Sequence, residues 1–290
     1  MLSRQFSTRV IALMPVAIAI NIVLGATVQQ ALKLPIYLDS IGTILVGVLA
    51  GPIAGLATGV LSNLIWGYLL PSPIGSTTIG PFAITAGVIG LLAGVWGYLG
   101  LFRSRVGDPG RATIGALVAI VIVGGVAFYT YARAYASPTD FTNTTGFDAG
   151  ALDQSRVFFL GVMAVFVLLI AWAFVLRRDV GAVYAVGAGL LTGIVAAIVS
   201  APIAAVVYGG VTGSGVDALV AAFRAGGDSL YAATLKQGLL SDPLDKMITS
   251  FVVFFIITSL SRRYIARFPN GERALGTEAA PARPAASTAR

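Results

Sequence analysis

Residues 36–70 read IYLDSIGTILVGVLAGPIAGLATGVLSNLIWGYLL, and their small residues decide how this part of the chain folds. Gly47, Gly51, Gly55 and Gly59 recur at every fourth position, which on a helix places them in one row. A row of small residues lets a second helix backbone approach closely, as in helix pairs that pack within lipid. We therefore assign these four glycines to helix packing.

Gly51-Pro52 interrupts this row at its centre. Proline has no N–H to donate, and it moves the preceding residue out of the helical region. The pattern therefore predicts two membrane helices joined by a tight turn. The alternative is one kinked helix of 35 residues.

The composition is that of an integral membrane protein. Of the 290 residues 57% are hydrophobic and 11% are charged, and a soluble core cannot hide several apolar runs of about 20 residues each. We expect an all-α, polytopic membrane helix bundle of about eight transmembrane helices. The expected spans are Val10–Val28, Leu34–Ala50, Ile53–Leu70, Pro81–Leu101, Ala112–Ala132, Val157–Leu176, Ala182–Tyr208 and Met247–Tyr264.

The arginines indicate the orientation, because cytoplasmic loops carry an excess of Lys and Arg. With eight spans and a cytoplasmic amino terminus, all four arginine clusters fall inside. These clusters are Arg4 and Arg9; Arg103, Arg105 and Arg111; Arg177 and Arg178; and Arg262, Arg263 and Arg267. A single kinked helix would set the first cluster against the others, which favours the hairpin. The net charge of +7 lies mainly at helix ends, so we expect no nucleic-acid partner.

Three segments lie outside the expected spans. Residues 137–154 are polar and predict an external loop. Residues 209–246 predict a longer external connection with short helices near 216–224 and 229–237, and a structured loop of that length is usually functional. Residues 1–268 then form the transmembrane domain. The tail at 269–290 is rich in Ala, Pro and Arg, and we expect it to be disordered in the cytoplasm.

The sequence lacks most of the groups that enzymes and energised pumps use. It contains no His and no Cys, and no G-x-x-x-x-G-K-[ST] phosphate loop. The expected spans also carry no Asp, Glu or Lys in their central turns, where an ion-coupled carrier buries such groups. Asp242 and Asp245 either cap the start of the last helix or contact a ligand. We expect a non-enzymatic binding and translocation protein without cofactor or metal.

Residues 45–63, LVGVLAGPIAGLATGVLSN, resemble the second and third helices of the substrate-binding (S) subunits of energy-coupling-factor (ECF) vitamin transporters, which typically read aGxxfGPxxGxxxGxxsD. Pro81–Gly94 resembles the fourth helix of that family, and Gly189–Tyr264 is similar to its final two. The resemblance covers about two thirds of the chain. It implies a six-helix core with residues 112–176 as a two-helix insertion. The family has Asp where this chain has Asn63.

The resemblance implies a function and a set of partners. The chain would be the substrate-capture subunit of an ATP-driven importer of a vitamin or similar small metabolite. It would work with a transmembrane coupling subunit and two cytoplasmic ATPases in a bacterial cell membrane, with both of its own termini cytoplasmic. The family's first helix docks through an A-x-x-x-A face, and the corresponding positions here are Ala17, Asn21 and Gly25.

The family's pocket lies in the outer half of the bundle, which selects candidate ligand contacts. They are Gln30, Tyr37, Asn63, Trp66, Tyr208, Thr212, Ser214 and Asp217. Other interpretations stay open for several of them. Trp66 and the nearby Tyr68 also suit an interfacial aromatic belt, Asn63 also suits a hydrogen bond across a helix pair, and the glycine-rich residues 209–215 form either an anion cradle or an ordinary turn.

Two further functions remain compatible with the sequence. Multi-helix segments of this kind also occur as ligand-sensing modules, although the cytoplasmic segments here are short. A self-sufficient secondary carrier is the other alternative. Transport by the chain alone in liposomes would support the carrier and contradict the capture subunit.

Overall fold

The computed structural model describes residues 5–107, 109–136, 142–143, 146, 148–175 and 178–275. Within these ranges the regular structure is helical, and the extended pairing is limited to an isolated bridge between Val106 and Asp179. The helices are α1 (Thr8–Gly25), α2 (Ile41–Ala50), α3 (Pro52–Leu64), α4 (Ala83–Tyr98), α5 (Pro109–Ala134), α6 (Ala149–Val175), α7 (Gly181–Tyr208), α8 (Asp217–Ala225), α9 (Leu230–Ser259), α10 (Arg262–Ile265) and α11 (Gly271–Leu275). π-Helical turns extend α1 and α3, and a 3₁₀ turn, Thr77–Phe82, precedes α4.

Among the described residues, six helical segments are long and apolar enough to cross a bilayer, which supports a multi-pass membrane bundle. They are Thr8–Ala31, Pro52–Leu69, Thr77–Tyr98, Thr113–Ala134, Ala149–Phe174 and Gly181–Tyr208. The prediction of an all-helical, multi-pass membrane chain is confirmed. The predicted count of eight spans is not confirmed, because the segments around α2 and α9 differ from the expected ones.

The predicted turn lies at Gly51, between α2 and α3. Gly51 has a φ of 118°, a backbone conformation that favours glycine, and the single kinked helix is therefore wrong. The row of small residues packs on α4: a Cβ added at Gly47 would stand 2.7 Å from the Gly90 carbonyl oxygen, and Gly55 and Gly59 meet the backbone of Gly90 and Ala86. Close backbone packing thus joins α2, α3 and α4.

Helix α2 is too short to span a bilayer. Its ten residues extend about 15 Å, half the thickness of the hydrocarbon core. The expected span Leu34–Ala50 is wrong over its first seven positions, since residues 34–40 approach α2 without forming a helix. Every residue of α2 is buried, because α1, α3, α4 and α9 surround it. The short helix and its non-helical approach are therefore enclosed by protein.

Helix α9 is one continuous helix of 30 residues. The prediction that a helix starts at Asp242, with Asp242 and Asp245 as capping residues, is wrong, because Pro243 lies inside the helix. The predicted external connection therefore ends near residue 229. Helix α7 packs closely along α9: Gly193 meets Pro243, and Gly189 meets the Lys246 carbonyl. Because Gly189 and Gly193 of α7 have no side chains, the α9 backbone packs closely against α7 around Pro243.

The described arginine-bearing segments meet at one end of the bundle, beside Gly51. Arg9 Nη1 donates to the Arg267 carbonyl at 3.4 Å, and the Arg105 backbone N–H donates to Asp179 Oδ1 at 2.7 Å. This arrangement agrees with the expectation that these clusters share one side. Arg4 and Arg177 lie outside the described residues, and the cytoplasmic assignment of this end stays a prediction.

The expected disordered tail and one expected loop have different bounds in the structure. Residues 271–275 form α11, whose Ala274 is buried, and the Asn270 N–H donates to the Leu49 carbonyl at 2.9 Å. The prediction of disorder is wrong for these residues, and 276–290 lie outside the described part. Helix α6 begins at Ala149, inside the expected loop 137–154. Residues 137–141, 144, 145 and 147 of that loop lie outside the described part of the chain.

Candidate ligand-binding site

A cavity of about 320 Å³ lies in the half of the bundle remote from the arginine-rich end. Asn63, which lines it, stands about 17 Å along α3 from Pro52 at that end. The remaining lining comes from residues 29–40, the loop and 3₁₀ turn before α4, α4 itself, the carboxyl half of α7, residues 210–220 and α9. Its volume falls at the low end of the range for small-molecule pockets, about 300–1,000 Å³.

The walls of this cavity differ in polarity. The 3₁₀ turn and α4 contribute mainly apolar groups, among them Ile79, Phe82 and Ile89. The segment 29–40 and α9 contribute amide and charged groups, namely Gln29, Gln30, Lys33, Asp39, Gln237, Asp242 and Lys246. An apolar wall facing a polar one suits a small organic molecule that carries polar groups on one side.

Lys246 holds α9 against the non-helical segment before α2. Its side chain is 2% exposed, and its Nζ lies 3.6 Å from Asp39 Oδ1 and forms an ion pair with Asp245. Asp245 also accepts the backbone N–H of Leu38 at 2.6 Å and that of Tyr37 at 3.3 Å. Because non-helical backbone within a membrane bundle needs partners from the protein, Asp245 supplies acceptors that residues 37–38 require.

Neutral side chains orient the polar groups of the cavity. Gln29 Nε2 donates to Asp39 Oδ2 at 3.0 Å, and Gln237 Nε2 donates to the Tyr37 hydroxyl at 3.0 Å. Burial raises the pKa of Tyr37 well above its usual value, so its hydroxyl stays neutral. Asp242 Oδ2 accepts the Ser200 hydroxyl at 3.3 Å.

The glycine-rich loop folds around a carboxylate of the chain itself. Asp217 Oδ2 accepts the backbone N–H of Thr212 at 2.9 Å and that of Gly213 at 2.7 Å, while Lys33 Nζ donates to the Gly213 carbonyl. These N–H groups, which we considered as an anion cradle, are therefore occupied by Asp217. Burial raises the pKa of Asp217 and lowers that of Lys33, and their mutual attraction offsets part of each shift.

Two buried hydroxyls of the cavity wall have no hydrogen-bond partner within the described residues. Ser40 is 3% exposed and Thr85 is 7% exposed, and both line the cavity. Neither Ser40 Oγ nor Thr85 Oγ1 forms a hydrogen bond there. A buried polar group without a partner costs about 1–3 kcal/mol. A bound molecule with polar groups would satisfy these two hydroxyls.

Of the eight predicted ligand contacts, the structure brings six to this cavity, namely Gln30, Tyr37, Asn63, Thr212, Ser214 and Asp217. Trp66 lies elsewhere: it is 1% exposed, and its Nε1 donates to the Ile74 carbonyl at 2.7 Å, so neither the ligand nor the interfacial interpretation describes it. Tyr208 stands behind the cavity wall: its ring stacks on the ring of Phe82 with 5.8 Å between the centroids, and Phe82 lines the cavity. Asn63 Nδ2 makes a long contact of 3.5 Å with the Ile79 carbonyl.

Sequence reasoning missed the charged wall of the cavity. The expected span Met247–Tyr264 begins after Asp242, Asp245 and Lys246, whereas the structure places all three in the interior of α9. Their spacing of three and four residues, which places them on one helical face, was the available signal. Gln29, Asp39 and Gln237 gave no comparable pattern.

The face predicted for partner docking is buried within the chain. Asn21, 1% exposed, donates through Nδ2 to Thr43 Oγ1 at 2.8 Å and to Ser62 Oγ at 3.0 Å, and it accepts the Gly42 N–H at 2.7 Å. Ala17 packs against Gly42 and Gly25 against Trp66. The assignment of Ala17, Asn21 and Gly25 to docking is therefore wrong, because α2 and α3 cover this face of α1.

The fold and the cavity define a class: a multi-pass membrane helix bundle that contains a small-molecule-sized cavity with one charged wall. The described residues contain no group of three or more acidic side chains placed to hold a metal ion. Comparisons with protein-family models, curated proteins and solved structures gave no match.

Proposed function

We propose that this chain is the substrate-capture subunit of an ATP-driven importer of the ECF type and that it binds a vitamin-like small metabolite in the cavity. The observation that carries the proposal is the cavity of about 320 Å³ in the half of the bundle remote from the arginine-rich end. Under the positive-inside rule that half faces outward, which is where a capture subunit meets its substrate.

The resemblance of residues 45–63 to S subunits also supports the proposal. In the structure this stretch is the α2–α3 hairpin, whose glycines pack on α4, and α4 supplies the apolar wall of the cavity. The sequence has no phosphate loop of its own, so in this proposal ATP hydrolysis belongs to two partner ATPases, reached through a coupling subunit. That subunit would dock on a face other than Ala17, Asn21 and Gly25.

Native mass spectrometry of the protein purified alone in mild detergent tests the capture function. We expect one small molecule per chain in the wild type, and reduced occupancy in Asn63→Leu and Thr212→Val, because both residues line the cavity. Thr258→Val is the matched control, since its hydroxyl bonds within α9 to the Phe254 carbonyl. A folded wild type that retains no small molecule would contradict the proposal.

A specific observation favours a second candidate, a self-sufficient secondary carrier. Ionisable side chains buried within membrane bundles commonly mark coupling-ion pathways, and Asp39, Asp242, Asp245 and Lys246 are such a group. Uptake into liposomes that contain the chain alone separates the two candidates. The capture subunit predicts binding without net uptake, whereas uptake driven by a sodium or proton gradient would establish the carrier.

A further inference from the structure

The charged side chains around the cavity do not balance. Four carboxylates, Asp39, Asp217, Asp242 and Asp245, lie in or directly behind its wall, whereas Lys33 and Lys246 supply the two lysines. The described part of this site therefore has a formal excess of two negative charges. Isolated charges in a low-dielectric site are costly, so such an excess favours an occupant of opposite charge.

Asp242 is the carboxylate best placed to meet this occupant. Lys246 is already held by Asp245 and Asp39, and Lys33 lies at the loop that Asp217 organises. The hydrogen-bond partner of Asp242 is instead the neutral hydroxyl of Ser200. Asp242 itself lines the cavity.

The unpartnered hydroxyls are a second, independent sign of a ligand. Ser40 precedes α2 and Thr85 lies on α4, so they reach the cavity from different elements, and both are more than nine-tenths buried without a hydrogen bond. The Phe82 ring and the Ile79 and Ile89 side chains lie in the same wall as Thr85. A ligand with both polar and apolar groups would bond to these hydroxyls and pack on the apolar side chains.

We propose that the cavity selects an organic cation, whose N–H groups donate to Asp242 and Asp39 and whose apolar face packs on Phe82. The inference rests on the proposed capture of a small molecule and names its chemical class. Charge-assisted hydrogen bonds are about twice as strong as neutral ones, and an aromatic ring adds cation–π attraction. The described residues offer no cluster of three acidic groups for a metal ion, and the cavity volume suits a small organic molecule.

Three planar probes of similar size and different charge test the inference: benzamidine, which is cationic at neutral pH, benzamide, which is neutral, and benzoate, which is anionic. Binding to the purified full chain is measured by isothermal titration calorimetry at constant ionic strength. We expect benzamidine to bind roughly tenfold tighter than benzamide or more, with benzoate weakest.

Asp242→Asn keeps the shape of the side chain and removes its charge, so it should abolish the preference for benzamidine over benzamide. Asp39→Asn is the second variant in case Asp242→Asn fails to fold. Asp153→Asn, whose carboxylate is 74% exposed in a surface ion pair, is the matched control and should keep the wild-type preference. An unchanged preference in folded Asp242→Asn and Asp39→Asn overturns the inference.

The remaining outcomes separate this inference from the capture function. Binding or co-purification of a neutral or anionic molecule overturns the cation class and leaves capture intact. If sodium, exchanged for potassium at constant ionic strength, shifts the melting temperature as much as benzamidine does and Asp242→Asn removes that shift, the site holds an inorganic cation and the inference fails. If nothing binds and nothing co-purifies, both proposals fail.

Discussion

Lys246 Nζ lies 3.6 Å from Asp39 Oδ1, and this buried contact joins the interior of α9 to the non-helical segment that leads into α2. The two residues are far apart in sequence, and both line the cavity. With the ion pair to Asp245 and the backbone bonds from Leu38 and Tyr37, the contact fixes one wall of the site. The charged groups thus hold the fold together and shape the cavity at once.

Lys246→Met should destabilise the protein strongly. The variant leaves the buried carboxylate of Asp245 and the partly exposed carboxylate of Asp39 without their lysine, and removal of one partner from a buried pair costs about 3–5 kcal/mol. Lys236→Met is the matched control, because the Lys236 side chain is 52% exposed in its pair with Asp228 and such a pair contributes about 0–1 kcal/mol. Apparent melting temperatures in detergent measure both, and equal midpoints for the two variants would contradict the role of Lys246.

The same substitution should act in opposite directions at two glycines. A Cβ at Gly55 would stand 2.7 Å from the Gly47 Cα, whereas Gly187 in α7 has no neighbour within 4 Å of its added Cβ. Gly55→Ala should therefore lower the melting temperature, and Gly187→Ala should hold or raise it, because alanine favours a helix interior by about 0.5–1 kcal/mol over glycine. Equal effects of the two substitutions would refute the close approach of α3 to α2.

Asn21→Leu should lower the yield and melting temperature of the chain by itself. It leaves the Gly42 N–H without its acceptor and removes the donor to Thr43 and Ser62, and each buried group left unpaired costs about 1–3 kcal/mol. Asn143→Leu, at an exposed position, is the control. Wild-type stability of Asn21→Leu, with assembly on partner subunits lost, would restore the docking role that the sequence suggested.

The hairpin could be predicted because its signal is local. A glycine at every fourth position specifies a helix row, and Gly51-Pro52 specifies where that row turns. The row does not specify what packs on it. The small residues Ala17 and Gly25 on α1 predicted a partner protein with equal force, yet α2 and α3 of the same chain occupy that face.

The charged wall could not be predicted for a related reason. Ser241-Asp242-Pro243 before an apolar run has the local pattern of a helix start, and what overrides that pattern is tertiary: α7 packs on Pro243, and Asp39 lies beside Lys246. The contacts predicted from loop position, such as Thr212 and Asp217, do lie at the cavity. Thr212 and Asp217 bond to each other within the loop, but Lys33, which donates to the Gly213 carbonyl of that loop, is distant in sequence.

Asp217 should give the stability of the protein a measurable pH dependence. Burial raises the pKa of its carboxyl above the ordinary value of 3.8, despite the hydrogen bonds from Thr212 and Gly213. A folded-state pKa above the unfolded value means that the folded chain binds the proton more readily. The stabilising contribution is then fully present below the unfolded pKa and is lost as the pH rises through the folded pKa.

Asp217→Asn cannot titrate, so the wild type should lose stability relative to this variant as the pH rises from about 4 toward neutrality. Melting temperatures of both proteins in detergent across this range measure the difference, which isolates Asp217 from the other carboxylates. A wild type that instead gains stability over the variant with rising pH would mean that the N–H donors of the 209–217 loop outweigh burial and lower the Asp217 pKa.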